Sequence, residues 1–464
     1  MNKAYVYQKK CTIAFSLLNI EAKMDVDYLV EKIKSRTMRG IAVEVADLIC
    51  NGKIPIGTQL PPVRDLADAF GVSPATISGA WKQLRSFRMV GGSGRTGTWV
   101  RGDQTTLRPV RYEDFANYGE NVVADLRFAS PDPTLLPDLN RALSQAHLVR
   151  NLHSYFRESI TSELKNAVAP DWPYKTCVFT ATNGGYDALH TALQIMVMPG
   201  SVVAIEDPTT LRLFDILEKL GARTIGVDCD SEGPLPDSLA AALEQQPVAF
   251  VYQPGSHSLT GTRVSPERLS QLGKLFAENG AMIVELDGLA GLAGAPSLSL
   301  GTVHPQRTVY IRTFSKALGT DFRLAVVSSS EKFAEQVQAL RNFREGWTSR
   351  LLQCAAAILL TDPESLHQIA CARETYAARL ARLTDALTER GLPTPGKGVL
   401  SVWLPVRDQQ YALVTLAARG IAVQPGSRFQ VTHRPHIRVG TGIDEDQVEL
   451  IADALVQAAG SSED

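Results

Sequence analysis

The sequence has few cysteines and few histidines, and neither residue is spaced as a metal site requires. Its 464 residues include six cysteines and eight histidines, with no Cys-x-x-Cys pair and no His-rich tract. Zinc sites and disulfide frameworks need closely and regularly spaced ligands. We therefore expect no metal site, and we expect the cysteines to remain thiols in a reducing cytoplasm.

Long apolar runs are missing as well. No stretch contains the roughly 20 consecutive apolar residues of a membrane-spanning helix, so we expect no membrane partner. Residues 11–20 are mostly apolar and follow two lysines, but they lack the small-residue cleavage site of a signal peptide. We interpret residues 1–26 as an N-terminal tail, with Met24 as an alternative start.

The net charge is small, but the charged residues are unevenly distributed. The whole chain carries −2, whereas Asp27–Gly102 contains 11 Lys or Arg against 6 Asp or Glu and is therefore basic. A basic module on an acidic body indicates an anionic partner for the module, and nucleic acid is the usual one. With 44% hydrophobic residues, the chain is long enough to bury several cores.

The basic region has the pattern of a winged helix-turn-helix. Apolar residues recur with helical spacing over about 28–50, and a short amphipathic helix follows at Val63–Phe70. Gly71 makes a tight turn, and Ser73 is a good N-cap for a second helix. The glycine-rich stretch Gly91–Val100 predicts a hairpin, the wing. In this motif the second helix enters the major groove of DNA.

Many residues of this region match the pattern of one bacterial family. They are Gly52, Pro55, Gly57, Leu60, Pro61, Arg64, Leu66, Ala67, Gly71, Val72, Ser73, Thr76, Ala80, Leu84, Gly97 and Thr98. Residues 27–101 thus resemble the DNA-binding domain of the GntR family, and the resemblance implies binding to double-stranded operator DNA. The residues expected to contact DNA are Arg64, Ser73, Thr76, Lys82 and Arg95. The alternative is that these polar residues form a solvated surface. Pro74 departs from the family, which usually has an arginine there.

A linker and a large second domain are predicted after this region. Residues 102–124 have mixed charge and little periodicity, which is typical of an inter-domain linker, and nothing there suggests chemistry. Over residues 125–460, Val/Ile-rich strands alternate with Ala/Leu-rich helices. This alternation predicts an α/β domain with a mainly parallel sheet.

Lys316 is the candidate reactive residue of this domain. It follows a predicted buried strand, Thr308–Thr313, with Ser315 beside it and Arg323 seven residues further on. A lysine amine can form a Schiff base with a phosphate-bearing aldehyde, while a hydroxyl and a guanidinium hold the phosphate. The alternative is a solvated lysine between two core strands.

Other strand ends and one helix start carry polar groups too. The strands ending near Glu206, Gln253, Asp287 and Thr313 are expected to share one edge of the sheet, where ligands of α/β proteins bind. A glycine-lined helix start supplies backbone amides that can hold a phosphate. Its residues are Asn183, Gly184 and Gly185. This convergence favours a binding site over a solvated lysine.

A second resemblance is carried by four segments of the domain. They are Gln253–Gly261, Thr313–Arg323, Pro425–Phe429 and His436–Gly440. Residues 125–460 resemble a fold-type I aminotransferase that depends on pyridoxal 5'-phosphate (PLP), with a smaller C-terminal α+β subdomain. The combination with a GntR domain resembles the MocR-type transcriptional regulators.

The resemblance implies a role for each candidate residue. Lys316 would form the Schiff base with PLP, and Ser315 and Arg323 would bind its phosphate. Asp287 would pair with the pyridine nitrogen and keep it protonated, so that the ring can withdraw electrons. His257 would lie near the ring hydroxyl.

Several positions depart from the family pattern. The family has Glu-Asp-Asp-Tyr where this chain has Glu285-Leu286-Asp287-Gly288, and Thr210 replaces another tyrosine. Because Glu285 and Asp287 share one face of a strand, either can serve the pyridine nitrogen. The missing tyrosines argue against a well-tuned transaminase.

Arg212 and Arg438 are the candidate effector residues. In relatives that bind an amino acid, arginines hold its carboxylate, which a guanidinium binds through two hydrogen bonds. The alternative for each is a surface or helix-capping arginine.

Three functions remain open at this point. The first is a bacterial regulator, active on the nucleoid as a homodimer, whose body senses PLP or an amino acid or amine that reacts with it. The second is an active PLP-dependent aminotransferase with a DNA-binding appendage. The third is a repressor whose body has lost the cofactor and only dimerises. The missing tyrosines favour the sensor over the enzyme.

Overall fold

The computed structural model describes residues 24–50, 53–86, 89–92, 97–101, 109–113, 122–175, 178–394 and 398–460. Contacts along the chain divide it into two compact units, Met1–Arg108 and Pro109–Asp464, which we call the head and the body. The division lies inside the predicted linker, and the exact domain limits stay predictions.

The head has the winged helix-turn-helix architecture. Its helices are α1 (Val26–Lys32), α2 (Met38–Cys50), α3 (Val63–Phe70) and α4 (Pro74–Ser86), and its strands are β1 (Gln59–Leu60), β2 (Val90–Gly91) and β3 (Thr98–Val100). The strands form an antiparallel sheet in the order β1-β3-β2. Gly71 ends α3 in the left-handed conformation, with φ +64°, which favours glycine. One face of α4 is apolar and packs in the core of the head, since Ile77, Ala80, Trp81 and Leu84 are all buried.

The body contains a large sheet flanked by helices and a smaller C-terminal sheet. Its helices are α5 (Val110–Glu113), α6 (Leu139–Ala146), α7 (Ser162–Val168), α8 (Gly185–Met196), α9 (Leu211–Lys219), α10 (Pro236–Glu244), α11 (Pro266–Leu275), α12 (Glu331–Arg341), α13 (Arg350–Thr361), α14 (Pro363–Glu389), α15 (Gln409–Ala417) and α16 (Val448–Ala459). Its strands are β4 (Ala124–Asp125), β5 (Val178–Thr182), β6 (Val202–Asp207), β7 (Arg223–Asp230), β8 (Gly233–Pro234), β9 (Ala249–Tyr252), β10 (Met282–Asp287), β11 (Thr308–Thr313), β12 (Ala325–Ser329), β13 (Ser401–Pro405), β14 (Ile421–Ala422), β15 (Gln424–Pro425) and β16 (His436–Gly440).

The large sheet positions the candidate site. Its strand order is β5-β12-β11-β10-β9-β6-β7-β8, and the neighbours from β11 across to β7 are parallel. The predicted mainly parallel sheet is therefore confirmed. Because the carboxyl ends of parallel strands meet at one edge, the segments after β6, β9, β10 and β11 lie on the same side of the domain.

The two faces of the large sheet pack against different cores. Val284 and Ile311 belong to a core that includes residues of α8 and α12. Tyr310, one position before Ile311, belongs to the core on the opposite face, with Trp172 and Phe179. This alternation follows from the two-residue period of a strand, and it decides which side chains of β10 face α8.

The C-terminal subdomain is a smaller α+β unit. An antiparallel sheet in the order β13-β16-β15 packs with α14, α15 and α16 around a core of its own. The short strand β14 pairs in parallel with β4, so the start of the body is tied to its C-terminal part. The predicted smaller α+β subdomain is confirmed.

Candidate functional site

A cavity opens at the carboxyl edge of the large sheet. Its volume is about 370 Å³. It is bordered by many of the residues that the sequence singled out, together with several that it did not: Tyr112, Gly185, Tyr186, Arg212, Leu286, Asp287, Thr313, Ser315, Lys316, Arg323 and Arg438. Basic groups outnumber acidic ones among these residues, so the cavity suits an anionic ligand.

Lys316 contributes its amine to this cavity from a half-buried side chain. Its Nζ donates a hydrogen bond to the backbone oxygen of Ala129 at 2.5 Å. Burial, with smaller contributions from the charges of Arg438 and Arg212, lowers the pKa of Lys316 to about 8. A sizeable fraction of the amine is therefore neutral near physiological pH, as a nucleophilic lysine requires.

The start of helix α8 and Arg323 border the same cavity as the amine. Helix α8 begins at Gly185, directly after Gly184, whose φ is +100°. A Cβ at Gly184 would lie 3.2 Å from Nη2 of Arg323, so the absence of a side chain lets the guanidinium approach the helix start. Backbone amides at a helix start and an arginine together can hold a phosphate.

Asn183 supports the helix start, and Ser315 lies next to the lysine. The backbone N–H of Asn183 donates to Oδ2 of Asp187 at 3.0 Å. Ser315 borders the cavity, and its hydroxyl lies 3.4 Å from that of Thr313. The residues predicted to hold the phosphate are thus close neighbours, while Asn183 does not border the cavity itself.

The two acids of β10 are turned towards the face of the sheet opposite α8. Asp287 accepts hydrogen bonds from the hydroxyls of Tyr310 and Ser297 and lies 3.4 Å from Nε of Arg312. Glu285 accepts a hydrogen bond from the hydroxyl of Tyr252 at 2.5 Å. Although Asp287 borders the cavity, its carboxylate makes these contacts on the far face.

Glu285 lies deeper in the core and does not border the cavity. The hydroxyl of Ser299 and the backbone N–H of Leu300, at 2.7 Å, also donate to its carboxylate. Burial raises the pKa of Glu285 to about 7, and these hydrogen bonds oppose the rise. The residue that faces α8 between the two acids is Leu286.

His257 lies in a neighbouring cavity of about 180 Å³. Its Nδ1 accepts hydrogen bonds from the backbone N–H groups of Leu259 and Thr260, both at 3.2 Å. Its Nε2 lies 3.3 Å from Oε1 of Glu206. These contacts hold the loop after β9 in shape, and His257 does not border the cavity of Lys316.

Arg438 is half-buried in the wall of the main cavity. Its Nη2 donates to the backbone oxygen of Arg127, and its guanidinium lies 5.0 Å from the ring centre of Phe429. Burial lowers the pKa of Arg438 to about 10, which leaves it charged at neutral pH. Its Nε is buried without a hydrogen-bond partner among the described residues, and a ligand carboxylate is a suitable acceptor for this group.

Arg212 is held between two tyrosine rings. Its guanidinium lies 3.5 Å from the ring centre of Tyr112 and 4.6 Å from that of Tyr186. Stacking of this kind is a favourable cation–π arrangement. Tyr112 belongs to residues 109–113, which we call the arm, and it comes from the stretch predicted to be a linker without chemistry.

The arm is fastened to helix α9 of the body. Asp215 accepts hydrogen bonds from the backbone N–H groups of Arg111 and Tyr112, at 3.2 and 3.1 Å. The guanidinium of Arg111 lies 4.2 Å from the ring centre of Phe214. Arg428 donates to the backbone oxygen of Arg111. An aromatic residue in a supposed linker was the only signal of this contact in the sequence.

In the head, three of the predicted DNA-contacting residues, Ser73, Thr76 and Lys82, lie at or after the start of α4, and Arg64 lies on α3. Ser73 is exposed, and its hydroxyl lies 2.9 Å from that of Thr76, whose backbone N–H it also accepts at 3.2 Å. Lys82 on α4 and Arg64 on α3 are exposed. Arg95 lies outside the described residues.

Comparison with known proteins agrees with both halves of this architecture. Residues 37–100 match the family "Bacterial regulatory proteins, gntR family", and residues 123–455 match "Aminotransferase class I and II". The vitamin B6 salvage pathway transcriptional repressor PtsJ of Salmonella typhimurium is 33% identical over 436 residues, covering 92% of this chain and 99% of that protein. The chain belongs to the MocR-type regulators of the GntR family.

Other relatives of this regulator fit the same assignment. The pyridoxine biosynthesis transcriptional regulator PdxR of Corynebacterium glutamicum is 24% identical, covering 86% of this chain and 88% of that protein. An archaeal alanine:glyoxylate aminotransferase superposes on 72% of this chain and 90% of its own, with a TM-score of 0.66 and 19% identity. LysN from Thermus thermophilus, an α-aminoadipate aminotransferase, gives a TM-score of 0.64 at 20% identity, covering 73% of this chain and 92% of its own. These structures establish the aminotransferase fold of the body.

The described residues contain no cluster of His, Cys, Asp and Glu that could hold a metal ion. Within the same part of the chain, no helix is both long and apolar enough to cross a bilayer.

Proposed function

We propose that this transcriptional regulator binds operator DNA through its head and binds PLP through Lys316 of its body. PLP itself, or an amino acid or amine that reacts with it, would be the signal. The observation that carries the proposal is a half-buried lysine with a lowered pKa in a cavity that it shares with an arginine and a helix start able to hold a phosphate. The relatives named for vitamin B6 salvage and pyridoxine biosynthesis support it.

The residues at the cavity fit two groups of PLP, its aldehyde and its phosphate. Bound PLP supplies an aldehyde that condenses with a lysine amine. Lys316 would supply that amine, and Ser315, Arg323 and the amides at Gly184 and Gly185 would hold the phosphate. The cation–π stack at Arg212 and the buried guanidinium of Arg438 supply positive charge for the carboxylate of an amino-acid effector.

The proposal is tested by adding PLP to the purified protein, reducing with borohydride and measuring the mass of the peptide that contains Lys316. We expect a visible absorbance band and one phosphopyridoxyl group on that lysine. Lys316→Ala should abolish both, whereas Lys332→Ala should change neither, because Lys332 is exposed on α12. No reducible adduct in the wild type would leave the third function, a DNA-binding dimer without cofactor.

For the head we propose phosphate contacts by Arg64 and Lys82 and a base-reading surface around Ser73 and Thr76, with Arg95 in the wing. Each lost phosphate contact reduces the slope of the logarithm of the binding constant against the logarithm of the salt concentration by about one. Lys82→Ala and Arg64→Ala should therefore weaken binding and flatten the slope, and Lys332→Ala in the body serves as the control. An unchanged slope in both head variants would refute this assignment.

We also propose that the regulator acts as a homodimer. Several large apolar side chains of the body are exposed, with Tyr155 at 88%, Phe156 at 66% and Phe343 at 90% exposure. Arg350 donates to the backbone oxygens of Ser154 and Phe156, and the ring of Tyr155 packs edge-on against Trp347 at 6.1 Å. A cluster of this kind favours a protein partner, and a second copy would place two heads on paired half-sites.

A further inference from the structure

We infer that Leu286 leaves the ring nitrogen of bound PLP without a carboxylate partner, so that this nitrogen stays unprotonated and the cofactor serves recognition rather than electron withdrawal. The inference rests on the proposed function, because it concerns PLP held by Lys316. It concerns the ring-nitrogen end of the cofactor, for which Asp287 is the one acidic residue that borders the cavity within the described chain, and its carboxylate is engaged on the far face of the sheet.

The direction of the side chains of β10 carries the argument. Val284 and Leu286 pack with the core on the α8 side of the sheet, and Leu286 borders the cavity. Glu285 and Asp287 therefore alternate to the other side, where their partners Tyr252 and Tyr310 lie. A carboxylate that keeps a pyridine nitrogen protonated has to lie within hydrogen-bond distance of it. The side chain that β10 presents on the α8 side, at the border of the cavity, is the alkyl group of Leu286.

Asp287 is held firmly where it is. Its carboxylate accepts from two hydroxyls, and it is close to the guanidinium of Arg312, which is itself almost fully buried. Turning Asp287 towards the cavity would take one of two carboxylates away from Arg312, the other being that of Asp171 at 2.9 Å. It would also leave the buried hydroxyl of Tyr310 without its acceptor, which costs free energy. The carboxylate is therefore not available by a simple change of rotamer.

The other charged residues of the cavity also disfavour protonation of the ring nitrogen. Apart from Asp287, the charged residues that border it within the described chain are Arg212, Lys316, Arg323 and Arg438. Nearby positive charges disfavour protonation of a base. Because a protonated ring is what makes PLP an electron sink, loss of a proton from the α-carbon of a bound amino acid should be slow, while binding remains intact.

The ring nitrogen can be observed directly with PLP labelled with ¹⁵N at that position. The wild type, Leu286→Asp and Leu286→Asn would each be loaded with the labelled PLP. Formation of the adduct would be verified by borohydride reduction and mass measurement, and ¹⁵N spectra would be recorded at pH 7.5. We expect an unprotonated nitrogen in the wild type and in Leu286→Asn, which controls for a polar side chain of the same size. Leu286→Asp should shift the resonance upfield, as protonation does.

A second measurement uses conversion of the bound cofactor by an amino-acid panel. We expect Leu286→Asp to convert it at least about tenfold faster than the wild type, a difference of roughly 1.4 kcal/mol in barrier. A protonated nitrogen in the wild type would overturn the inference while leaving the proposed function intact. Absence of any adduct in the wild type would overturn both, and the wild-type spectrum alone decides the matter should Leu286→Asp not fold.

Discussion

The environment of Lys316 makes its reactivity depend on pH in a predictable direction. Burial and two arginines depress the pKa to about 8, so at pH 7.5 roughly a quarter of the amine is neutral, against about one part in a thousand for an ordinary lysine. The rate of forming the reducible adduct with PLP should therefore rise with pH and level off above about 8. We would measure it by stopped-flow absorbance between pH 6 and 10.

Removing a positive charge near Lys316 should shift the pH dependence of the rate of adduct formation. In Arg438→Gln the pKa of Lys316 rises, so the midpoint moves to higher pH and the rate at pH 7.5 falls, by up to roughly tenfold. Arg382→Gln is the matched control, since Arg382 is half exposed and pairs with Glu445 at 3.0 Å. A midpoint that stays near 8 in Arg438→Gln would contradict the electrostatic explanation.

At the scale of single residues, the sequence predicted which residues border the cavity better than it predicted which way their side chains point. Lys316, Arg323 and the glycines before α8 were selected by spacing, and the structure brings them to one cavity. The pattern also placed Glu285 and Asp287 on one face of a strand, but it could not say which face. That choice depends on Tyr252, Tyr310 and Arg312, whose positions follow from sheet packing and not from local sequence.

At the scale of elements, the arm is the part of the body that joins the cavity to the chain leading to the head. Asp215→Ala removes the acceptor for two backbone N–H groups of the arm. Two lost hydrogen bonds of about 1 kcal/mol each should raise hydrogen exchange at residues 111 and 112 by ten- to thirtyfold. Glu218→Ala on the exposed side of the same helix is the control. Unchanged exchange would show that side-chain stacking and the hydrogen bond from Arg428 hold the arm without Asp215.

The strands were predicted closely and the arm was missed, for one physical reason. Both strands contain a run of apolar residues, at 309–311 and 282–284, and end at polar residues that are visible in the sequence. The predicted bounds Thr308–Thr313 are those of β11, and the predicted strand end near Asp287 is that of β10. The arm has no such run. It is ordered by Asp215 and Arg428, about 100 and 300 positions away along the chain, and contacts between such distant positions leave no local pattern.

At the scale of the whole molecule, the exposed aromatic residues of the body predict self-association. Phe343→Ser combined with Tyr155→Ser removes most of the apolar area of this cluster, so we expect the mass in light scattering to fall from that of a dimer towards that of a monomer. Val414→Ser is the control, because Val414 is 67% exposed on α15, outside this cluster. A dimeric mass for the double variant would place the interface elsewhere.

The orientation of Asp287 away from the cavity has a consequence for how the regulator responds to the concentration of its signal. A protein that chemically converted its signal molecule would deplete the quantity it reports, and its output would drift with time at a constant supply. The fold keeps this carboxylate on the far face of the sheet, in contact with Tyr310 and Arg312. The coenzyme would therefore be bound, sensed and released without chemical change. Transcription could then follow concentration and not turnover.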